Sequence, residues 1–237
     1  MQEMTIGLGG AAGDGLDKSG LTIARTAGRL GLHLYAYNSY QSIIRGGHIW
    51  LRLRVGQEKV LSQGDHLNVL IALNQDTIER HAREVETGGA IVYNSDRLNC
   101  PAELVPDNVL TVALPIRELT QPIGKLPPIM QNTVLAGALL FLLGLDFEVM
   151  AEVLADTFAH KGAEVVEKNV AVAKAGFSCA EQNYVSLGCK WHFSRDRRPF
   201  MTGNQAFALG AVAGGCKFYS AYPMTPASGI LHWMSDH

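Results

Sequence analysis

The segment that most constrains the fold is a continuous apolar run, residues 68–73. A strand without polar alternation is buried on both faces, as in a parallel sheet that helices cover on each side. Other short apolar or alternating runs precede and follow it, and helical patterns separate several of them. Strands are predicted at 4–8, 33–37, 49–55, 68–73, 89–93 and 109–113, with helices at 15–30 and 75–87. This order predicts an α/β fold, a Rossmann-like parallel or mixed sheet flanked by helices.

After Pro127 and Pro128 the pattern becomes helical, with segments predicted at 130–144, 147–159 and 162–181. In the last segment, apolar residues recur in steps of four and three, which is typical of a buried stripe. The stripe comprises Val166, Val170, Ala173, Phe177 and Ala180. The longest apolar stretch, 134–145, is shorter than the roughly 20 residues that span a bilayer, so no membrane association is expected.

A change in charge marks a boundary near residue 183. Residues 1–182 carry 15 basic and 20 acidic side chains, a net −5, whereas residues 183–200 carry four basic and one acidic, a net +3. The basic stretch also lacks periodicity, as is typical of a linker. We therefore expect a first domain at 1–182, a basic linker at 183–200 and a further part at 201–237. About 37 residues cannot bury a core of their own, so this part is expected to be the truncated start of a larger domain.

Within 201–237, Thr202 is expected to open a helix that runs to Ala213, and a strand is predicted at 217–221. Thr225 is predicted to cap a final helix that has Pro226 in its first position. A helix start of this kind presents free N–H groups to a carboxylate or phosphate, although the pattern taken alone favours a simple capped helix over a ligand site.

Composition excludes several classes of function. The net charge of −2 provides no strong electrostatic attraction for nucleic acid, so nucleic-acid binding is not expected.

The four cysteines form no C-x-x-C pair, which predicts reduced thiols, a cytoplasmic location and no iron–sulfur cluster in this chain. These are Cys100, Cys179, Cys189 and Cys216. The histidines show no metal-ligand spacing, so no metal site is predicted.

A glycine-rich segment, residues 7–15, lies between the first strand and the first helix. Glycines at such a place permit a tight turn whose N–H groups can face an anion. A dinucleotide-binding loop is disfavoured, because Gly7-x-Gly9-x-x-Ala12 fits only with alanine last and Asn38 stands where an acidic residue would hold a ribose. The alternative is a structural β–α turn in which Asp14 caps the helix.

A second candidate is Arg45-Gly46-Gly47-His48. Two glycines beside an arginine let the backbone pass close to an anionic group. A surface loop that carries one charge explains the same pattern.

Together these segments resemble one family, the 2-oxoacid:ferredoxin (acceptor) oxidoreductases. Its gamma domain is matched by the glycine segment 7–15, Arg45-Gly46-Gly47, the strand–helix run 64–94 and the segment 131–137. Two later segments, 202–206 and 222–228, resemble the opening of the alpha, pyrimidine-binding domain. The order gamma, linker, alpha is that of fused gamma–alpha subunits, which are commonly assigned to 2-oxoglutarate.

The resemblance implies an activity and its cofactors. In the family, a 2-oxoacid is cleaved oxidatively with thiamine diphosphate and Mg, coenzyme A takes the acyl group, and an iron–sulfur cluster in a partner passes electrons to ferredoxin. Expected partners are the beta, diphosphate-binding subunit, ferredoxin and the 2-oxoacid, and a dimer is possible.

The resemblance also assigns site residues. Thr225 would hydrogen-bond the substrate carboxylate, while Tyr222 and Pro223 would line the pyrimidine site. On the gamma domain, the functional surface is expected at Arg45, Gly46 and the glycine segment. The glycine-segment residues are Gly9, Gly10, Gly13, Asp14 and Gly15.

The sequence departs from the family pattern at several points. Met224 replaces the usual isoleucine, and Ala11-Ala12 alter the GxGGxG form of the loop. The acidic residue that activates the aminopyrimidine and the substrate arginine would lie beyond this sequence, so the chain alone is expected to be inactive. Two alternatives remain: a stand-alone gamma-type interaction module that acts in trans, and a dinucleotide-binding oxidoreductase.

Overall fold

The computed structural model describes residues 3–39, 46–194, 196, 198, 200–224 and 226–237. Its centre is a six-stranded sheet. The strands are β1 Glu3–Ala12, β2 His33–Ser39, β3 Gly46–Gly56, β4 Leu67–Ala72, β5 Val85–Asn94 and β6 Leu110–Leu114. Their spatial order is β2-β3-β1-β4-β5-β6. Strands β1, β4, β5 and β6 run parallel, whereas β3 pairs antiparallel with both β1 and β2. The predicted mixed α/β sheet is confirmed.

Helices cover both faces of this sheet. They are α1 Leu16–Arg29, α2 Gln75–His81, α3 Ile116–Thr120, α4 Pro128–Leu143, α5 Phe147–Phe158, α6 Ala163–Asn183, α7 Gly203–Ala213 and α8 Ser228–Asp236. The larger apolar core lies under α1, α4, α5 and α6, and a smaller one lies under α2. Strand β4 contributes to both, since Val69 and Ile71 face the larger core while Leu70 and Ala72 face the smaller. The prediction that this strand is buried on both faces is therefore confirmed.

Helices α4 and α6 pack backbone against backbone. A Cβ added at Gly137 would overlap the Ala173 carbonyl oxygen, and one added at Gly176 would overlap the Val134 carbonyl oxygen. This close approach rotates the buried face of α6 away from the predicted stripe. Ala173 and Ala180 are buried as predicted, but Val166, Val170 and Phe177 are only half-buried.

The boundary between α2 and β5 differs from prediction. The helix was expected over 75–87 and the strand from 89, but α2 ends at His81, a short 3-10 turn covers Ala82–Glu84, and β5 begins at Val85. Strand β5 is also irregular near Gly88, whose φ is +82°. There the β4–β5 register shifts between Leu67 and Val69. A helical repeat of apolar residues continues across this point and does not reveal the irregularity.

Described residues that follow α6 pack against α4 and the carboxyl end of α1. Trp191 Nε1 donates to the Leu143 carbonyl at 2.6 Å, and the Ser194 N–H donates to the Leu30 carbonyl at 3.1 Å. Arg198 binds the carboxyl end of α1, where its N–H donates to Gly28 at 2.8 Å and its Nε to Gly31 at 2.9 Å. A cation is favourable there, because carbonyl groups make a helix end negative.

Two predictions for the last part of the chain are wrong. Residues 217–221 form no strand, and Phe218 is 84% exposed. A strand requires a neighbour for its hydrogen bonds, and none lies beside it in the described parts of the chain. Helix α8 begins at Ser228 with Ala227 as its N-cap, rather than at Pro226. Thr225, the predicted cap, lies outside the described residues. The helix opened by Thr202 is confirmed.

In the described ranges, no single helix is long and apolar enough to cross a membrane. Only the segments 116–123 and 128–143, taken together across a 109° bend, reach that length and composition.

Candidate functional site

The glycine segment contributes a turn that is shorter than expected. Strand β1 extends to Ala12, so Gly9 and Gly10 lie within the strand and only residues 13–15 form the turn. Gly13 and Gly15 have φ angles of +102° and +83°, in the left-handed region that favours glycine.

Asp14 closes this turn instead of capping α1. Its Oδ2 accepts the Ala11 N–H at 2.8 Å, and its own N–H donates to the Ala11 carbonyl at 3.0 Å. The N-cap of α1 is Gly15, and no side chain caps the helix. The prediction of an Asp14 cap is therefore wrong, because the carboxylate folds back onto the strand. The N-terminus of α1, which carries the positive end of the helix dipole, therefore has no side-chain cap. Asp17 places an acidic side chain in the same first turn.

Gly9 allows the start of α2 to approach β1 closely. A Cβ at Gly9 would overlap the side chain of Thr77. Thr77 is held by the α2 cap Asn74, whose Oδ1 accepts the Thr77 N–H at 2.9 Å and the Thr77 hydroxyl at 2.7 Å.

Two of the predicted family motifs meet at the turn. Asn132 of α4 donates its side-chain N–H to the Asp14 carbonyl at 2.5 Å. Ile129 packs so tightly on Gly15 that a Cβ there would lie 2.6 Å from Ile129 Cδ1. Residues 7–15 and 131–137, more than a hundred positions apart, thus form one local structure.

The second candidate motif lies beside the same turn. Strand β3 begins at Gly46, which pairs with Ala12, and His48 pairs with Ala11. Arg45 lies outside the described residues, so its predicted role stays a prediction. We refer to residues 13–15, 46–48 and 74–77 together as the glycine edge of the sheet. It coincides with the carboxyl ends of β1 and β4, where open α/β sheets commonly bind ligands.

A groove of about 1070 Å³ lies between α1 and the neighbouring strands on one side and the last part of the chain on the other. Helix α1 and strands β2 and β3 form one side, and the other is formed by Arg198, residues 200–205, Pro226, Ser228 and Gly229. The Asn204 side chain donates to the Pro226 carbonyl at 2.7 Å, which ties α7 to the start of α8. The polar groups facing the groove include Asp17, Tyr35, Asn38, Arg198, Thr202 and Gln205.

The pyrimidine-site residues are only partly described. Tyr222 is 80% exposed and Met224 is 61% exposed. Pro223, between them, is also exposed. The described residues of this segment therefore form an open surface and do not enclose a ligand.

Sequence reasoning missed a cluster of polar and aromatic side chains that extends from His48 at the glycine edge along β3 and under the end of α2. His48 Nε2 lies 2.8 Å from His81 Nε2, and His81 Nδ1 lies 2.7 Å from Glu84 Oε1. The Trp50 ring stacks on His81 with centroids 3.8 Å apart, and Arg52 binds Glu84 at 2.5 Å. His48 was part of a recognised motif, but no spacing rule joins it to His81.

Metal-binding geometry is not apparent in the described part of the chain. No group of three or more His, Cys, Asp or Glu side chains there is arranged to hold a metal ion. The four cysteines are free. Burial raises the pKa of the Cys100, Cys179 and Cys189 thiols, which keeps them protonated near neutral pH.

Comparison with known proteins gives consistent matches. Residues 5–179 match the family model described as pyruvate ferredoxin/flavodoxin oxidoreductase. The chain is 24% identical over 270 residues to a 2-oxoacid:ferredoxin oxidoreductase alpha subunit from Sulfolobus sp, covering 97% of this chain and 42% of that protein. It is 32% identical over 184 residues to ketoisovalerate oxidoreductase subunit VorA from Methanothermobacter thermautotrophicus, and this match covers 76% of this chain and 37% of that protein.

A solved structure matches the whole chain. The 2-oxoglutarate:ferredoxin oxidoreductase from Magnetococcus marinus, with 2-oxoglutarate, coenzyme A and succinyl-CoA bound, superposes with a TM-score of 0.87 and 28% identity. The match covers 100% of this chain and 41% of that one. The chain thus spans about two fifths of the length of these relatives. The resemblance predicted from the motifs is confirmed: this chain belongs to the pyruvate ferredoxin/flavodoxin oxidoreductase family.

Proposed function

We propose that this chain supplies the gamma-type domain and the opening of the pyrimidine-binding domain of a 2-oxoacid:ferredoxin oxidoreductase. The enzyme cleaves a 2-oxoacid, releases carbon dioxide, transfers the acyl group to coenzyme A and passes the electron pair to ferredoxin. In this proposal residues 1–182 form the gamma domain, 183–200 the linker and 201–237 the start of the pyrimidine-binding domain. The family match over 5–179 supports the first of these boundaries.

The superposition on the Magnetococcus marinus enzyme is the main support for this proposal, because it covers the proposed gamma domain, linker and last part of the chain together at a TM-score of 0.87. The bound 2-oxoglutarate and coenzyme A of that enzyme support 2-oxoglutarate as the substrate and coenzyme A as the acyl acceptor. The groove between the two parts supports a role in shaping the approach of coenzyme A. Its tyrosine and asparagine side chains can hydrogen-bond the amides of coenzyme A, and its guanidinium group can bind the phosphates.

Apolar side chains on the last part of the chain support docking of further enzyme segments. They are half or more exposed, and several exposed large apolar side chains in one short stretch are typical of an interaction surface. Phe207 is 64% exposed, Val212 is 50% exposed and Met201 is 50% exposed. The beta, diphosphate-binding subunit and the rest of the pyrimidine-binding domain are the proposed occupants.

The described residues fit thiamine diphosphate only in part. Cofactor pockets bury most of the ligand surface, whereas Tyr222 here is largely exposed. Tyr222 and Pro223 can therefore form one wall of a pyrimidine site, and other polypeptide segments must complete it. Thiamine diphosphate, when bound with Mg, supplies carbanion stabilisation. This chain contributes the Thr225 hydroxyl, proposed to donate to the substrate carboxylate.

The substitution Thr225→Ala tests that role in the assembled enzyme, prepared without oxygen together with the beta-type subunit. The assay follows 2-oxoglutarate- and coenzyme A-dependent reduction of a viologen dye. We expect kcat/KM for 2-oxoglutarate to fall about ten- to one hundred-fold, since a hydrogen bond to a charged group contributes about 1.5–3 kcal/mol. Thr111→Ala, a change at an exposed position on β6, is the matched control and should leave kcat/KM unchanged.

Other outcomes have defined meanings. Equal kcat/KM for wild type and Thr225→Ala contradicts the role of Thr225 but leaves the family assignment intact. If a folded, cofactor-loaded wild-type complex turns over no 2-oxoacid, the proposed activity is wrong and a gamma-type interaction module becomes the better account. A flavin or nicotinamide absorbance in the purified protein would instead favour the dinucleotide-binding alternative.

A further inference from the structure

The chain between α6 and α7 first binds the carboxyl end of α4. The Leu187 N–H donates to the Leu142 carbonyl at 2.8 Å. Trp191 Nε1 donates to the Leu143 carbonyl at 2.6 Å, and the side chains of Leu187 and Trp191 pack against the larger apolar core. The last carbonyls of a helix have no partner within the helix, so these two bonds satisfy groups that would otherwise require water.

The same chain then binds the carboxyl end of α1. The Ser194 N–H donates to the Leu30 carbonyl at 3.1 Å. The Arg198 N–H donates to the Gly28 carbonyl at 2.8 Å, and Arg198 Nε donates to the Gly31 carbonyl at 2.9 Å. The net charge of +3 over residues 183–200 suits this position, because the carboxyl ends of helices carry partial negative charge.

Two glycines at the end of α1 permit this close contact. A Cβ added at Gly28 would lie 2.9 Å from the Arg198 carbonyl oxygen, and one added at Gly31 would lie 2.7 Å from Ser194 Cβ. Gly31 also has a φ of +79°, in the left-handed region that favours glycine. Ser194 and Arg198 therefore lie directly on the end of α1, with no room for a side chain between them.

Gln57, the residue after β3, provides a third attachment. Its Nε2 donates to the His192 carbonyl at 2.9 Å, and its Oε1 accepts the His192 N–H at 2.8 Å. A side-chain amide that binds both backbone groups of one residue acts like a neighbouring strand, and it fixes the position and the direction of that residue. Gln57 and Trp191 both lie outside the groove lining, so they can affect the groove only through the chain that they hold.

The position of the far wall of the groove depends on these attachments. Phe200 packs against the larger core and also lines the groove. Only Met201 and Thr202 lie between Phe200 and the first residue of α7, so α7 begins within about 11 Å of the Phe200 Cα atom. Residues 200–205 form much of the wall that faces α1.

We propose that residues 187–194, 196 and 198 form a fixed strap rather than a flexible linker, and that Gln57 and Trp191 are positioning residues that hold the far wall of the groove at a set distance from α1. The consequence for coenzyme A rests on the proposed function. A wall that is already in place does not have to be ordered when the ligand binds.

Pulsed electron paramagnetic resonance on the full chain measures the width of the groove. Spin labels are attached to a ketone-bearing amino acid in place of Tyr35 on the near side and Met201 on the far side, both exposed groove residues. We expect one narrow distance distribution for the otherwise wild-type chain. The double variant Gln57→Ala, Trp191→Ala should broaden it, because two attachments of the strap are lost. Gln121→Ala, at an exposed glutamine outside the groove, is the control and should leave it narrow.

Two results of this measurement would overturn the proposal. One is a broad distribution in the otherwise wild-type chain, and the other is an unchanged distribution in the folded double variant. If Trp191→Ala does not fold, Trp191→Phe takes its place, because phenylalanine retains an aromatic ring for packing but cannot donate to the Leu143 carbonyl.

Hydrogen exchange in Gly28→Ala tests the contact between the strap and α1 independently. In an open helix, alanine in place of glycine is stabilising. Here the added methyl must displace Arg198, so the Arg198 amide should exchange about five- to one hundred-fold faster while the amides of β4 are unchanged. Gly210→Ala, where a Cβ meets nothing, is the matched control. Equal exchange of the Arg198 amide in wild type and Gly28→Ala would contradict the contact.

Steady-state kinetics of the assembled enzyme separate positioning from folding. A loss of folded enzyme lowers the apparent kcat and leaves KM unchanged, whereas a displaced groove wall raises KM for coenzyme A and leaves kcat unchanged. We expect the second pattern for Gln57→Ala, Trp191→Ala and neither for Gln121→Ala. A broadened distance distribution with an unchanged KM for coenzyme A would overturn the positioning role. A wild-type complex without activity would count against the proposed function instead, and the resonance and exchange measurements would still decide whether the strap is fixed.

Discussion

At the scale of single residues, glycines fix how closely elements approach one another. Gly9 lets Thr77 and the start of α2 contact β1, while Gly137 and Gly176 let α4 and α6 touch backbone to backbone. The sequence shows where these glycines are but not why a larger residue is excluded, because the atoms that a Cβ would overlap belong to distant segments. The glycine segment was recognisable from its place between a strand and a helix, whereas Gly137 resembles any small residue in a leucine-rich helix.

The substitution Gly137→Ala should destabilise the protein. The added methyl overlaps the Ala173 carbonyl oxygen, and overpacking of this kind costs about 1–3 kcal/mol. Gly210→Ala is the matched control, because a Cβ at this position in the middle of α7 meets nothing. Relief of the glycine entropy cost in a helix should leave that variant neutral or more stable by up to about 1 kcal/mol. Urea unfolding of both variants provides the comparison; a Gly137→Ala protein as stable as wild type would show that the two helices can separate freely.

At the scale of elements, helices with an apolar stripe were predictable and strand partners were not. The bounds predicted for α4, α5 and α6 agree with the structure within about two residues, because the periodicity that identifies a helix is local. The strand expected at 217–221 was wrong, since a strand depends on a neighbour that local sequence does not specify. The early start of β5 was missed for a similar reason, because its first residue, Val85, is defined by pairing with Leu67 of β4.

Helix α7 offers a test of local capping. The Thr202 side chain accepts the Gln205 N–H at 3.3 Å, and Gln205 Oε1 accepts the Thr202 N–H at 3.0 Å, which is a capping box. Thr202→Ala should destabilise the start of α7 by about 1 kcal/mol, while Thr202→Ser should retain most of the cap. Hydrogen exchange of the first-turn amides measures this directly. Equal protection in the alanine and serine variants would contradict a capping role for Thr202.

At the scale of the whole molecule, the order of motifs predicted the family, but the contacts at the site required the structure. Residues 7–15 and 131–137 are distant segments of the sequence, and the structure joins them through Asn132 and Asp14. The His48–His81 contact links residues 33 positions apart on a strand and a helix, so no sequence spacing could indicate it. The exposed apolar side chains of α7 support the proposal that further enzyme segments dock on the last part of the chain.

An omission assay tests the central claim that this chain is an essential part of a 2-oxoacid:ferredoxin oxidoreductase. Succinyl-CoA formed from 2-oxoglutarate and coenzyme A is measured by mass spectrometry in anaerobic mixtures that contain the beta-type subunit, ferredoxin and thiamine diphosphate with Mg. One mixture contains the protein in its full reading frame, and a matched mixture lacks only that protein. We predict succinyl-CoA in the complete mixture and none in the other. Equal product with and without the protein, or none from a fully assembled and cofactor-loaded complex, would contradict the claim.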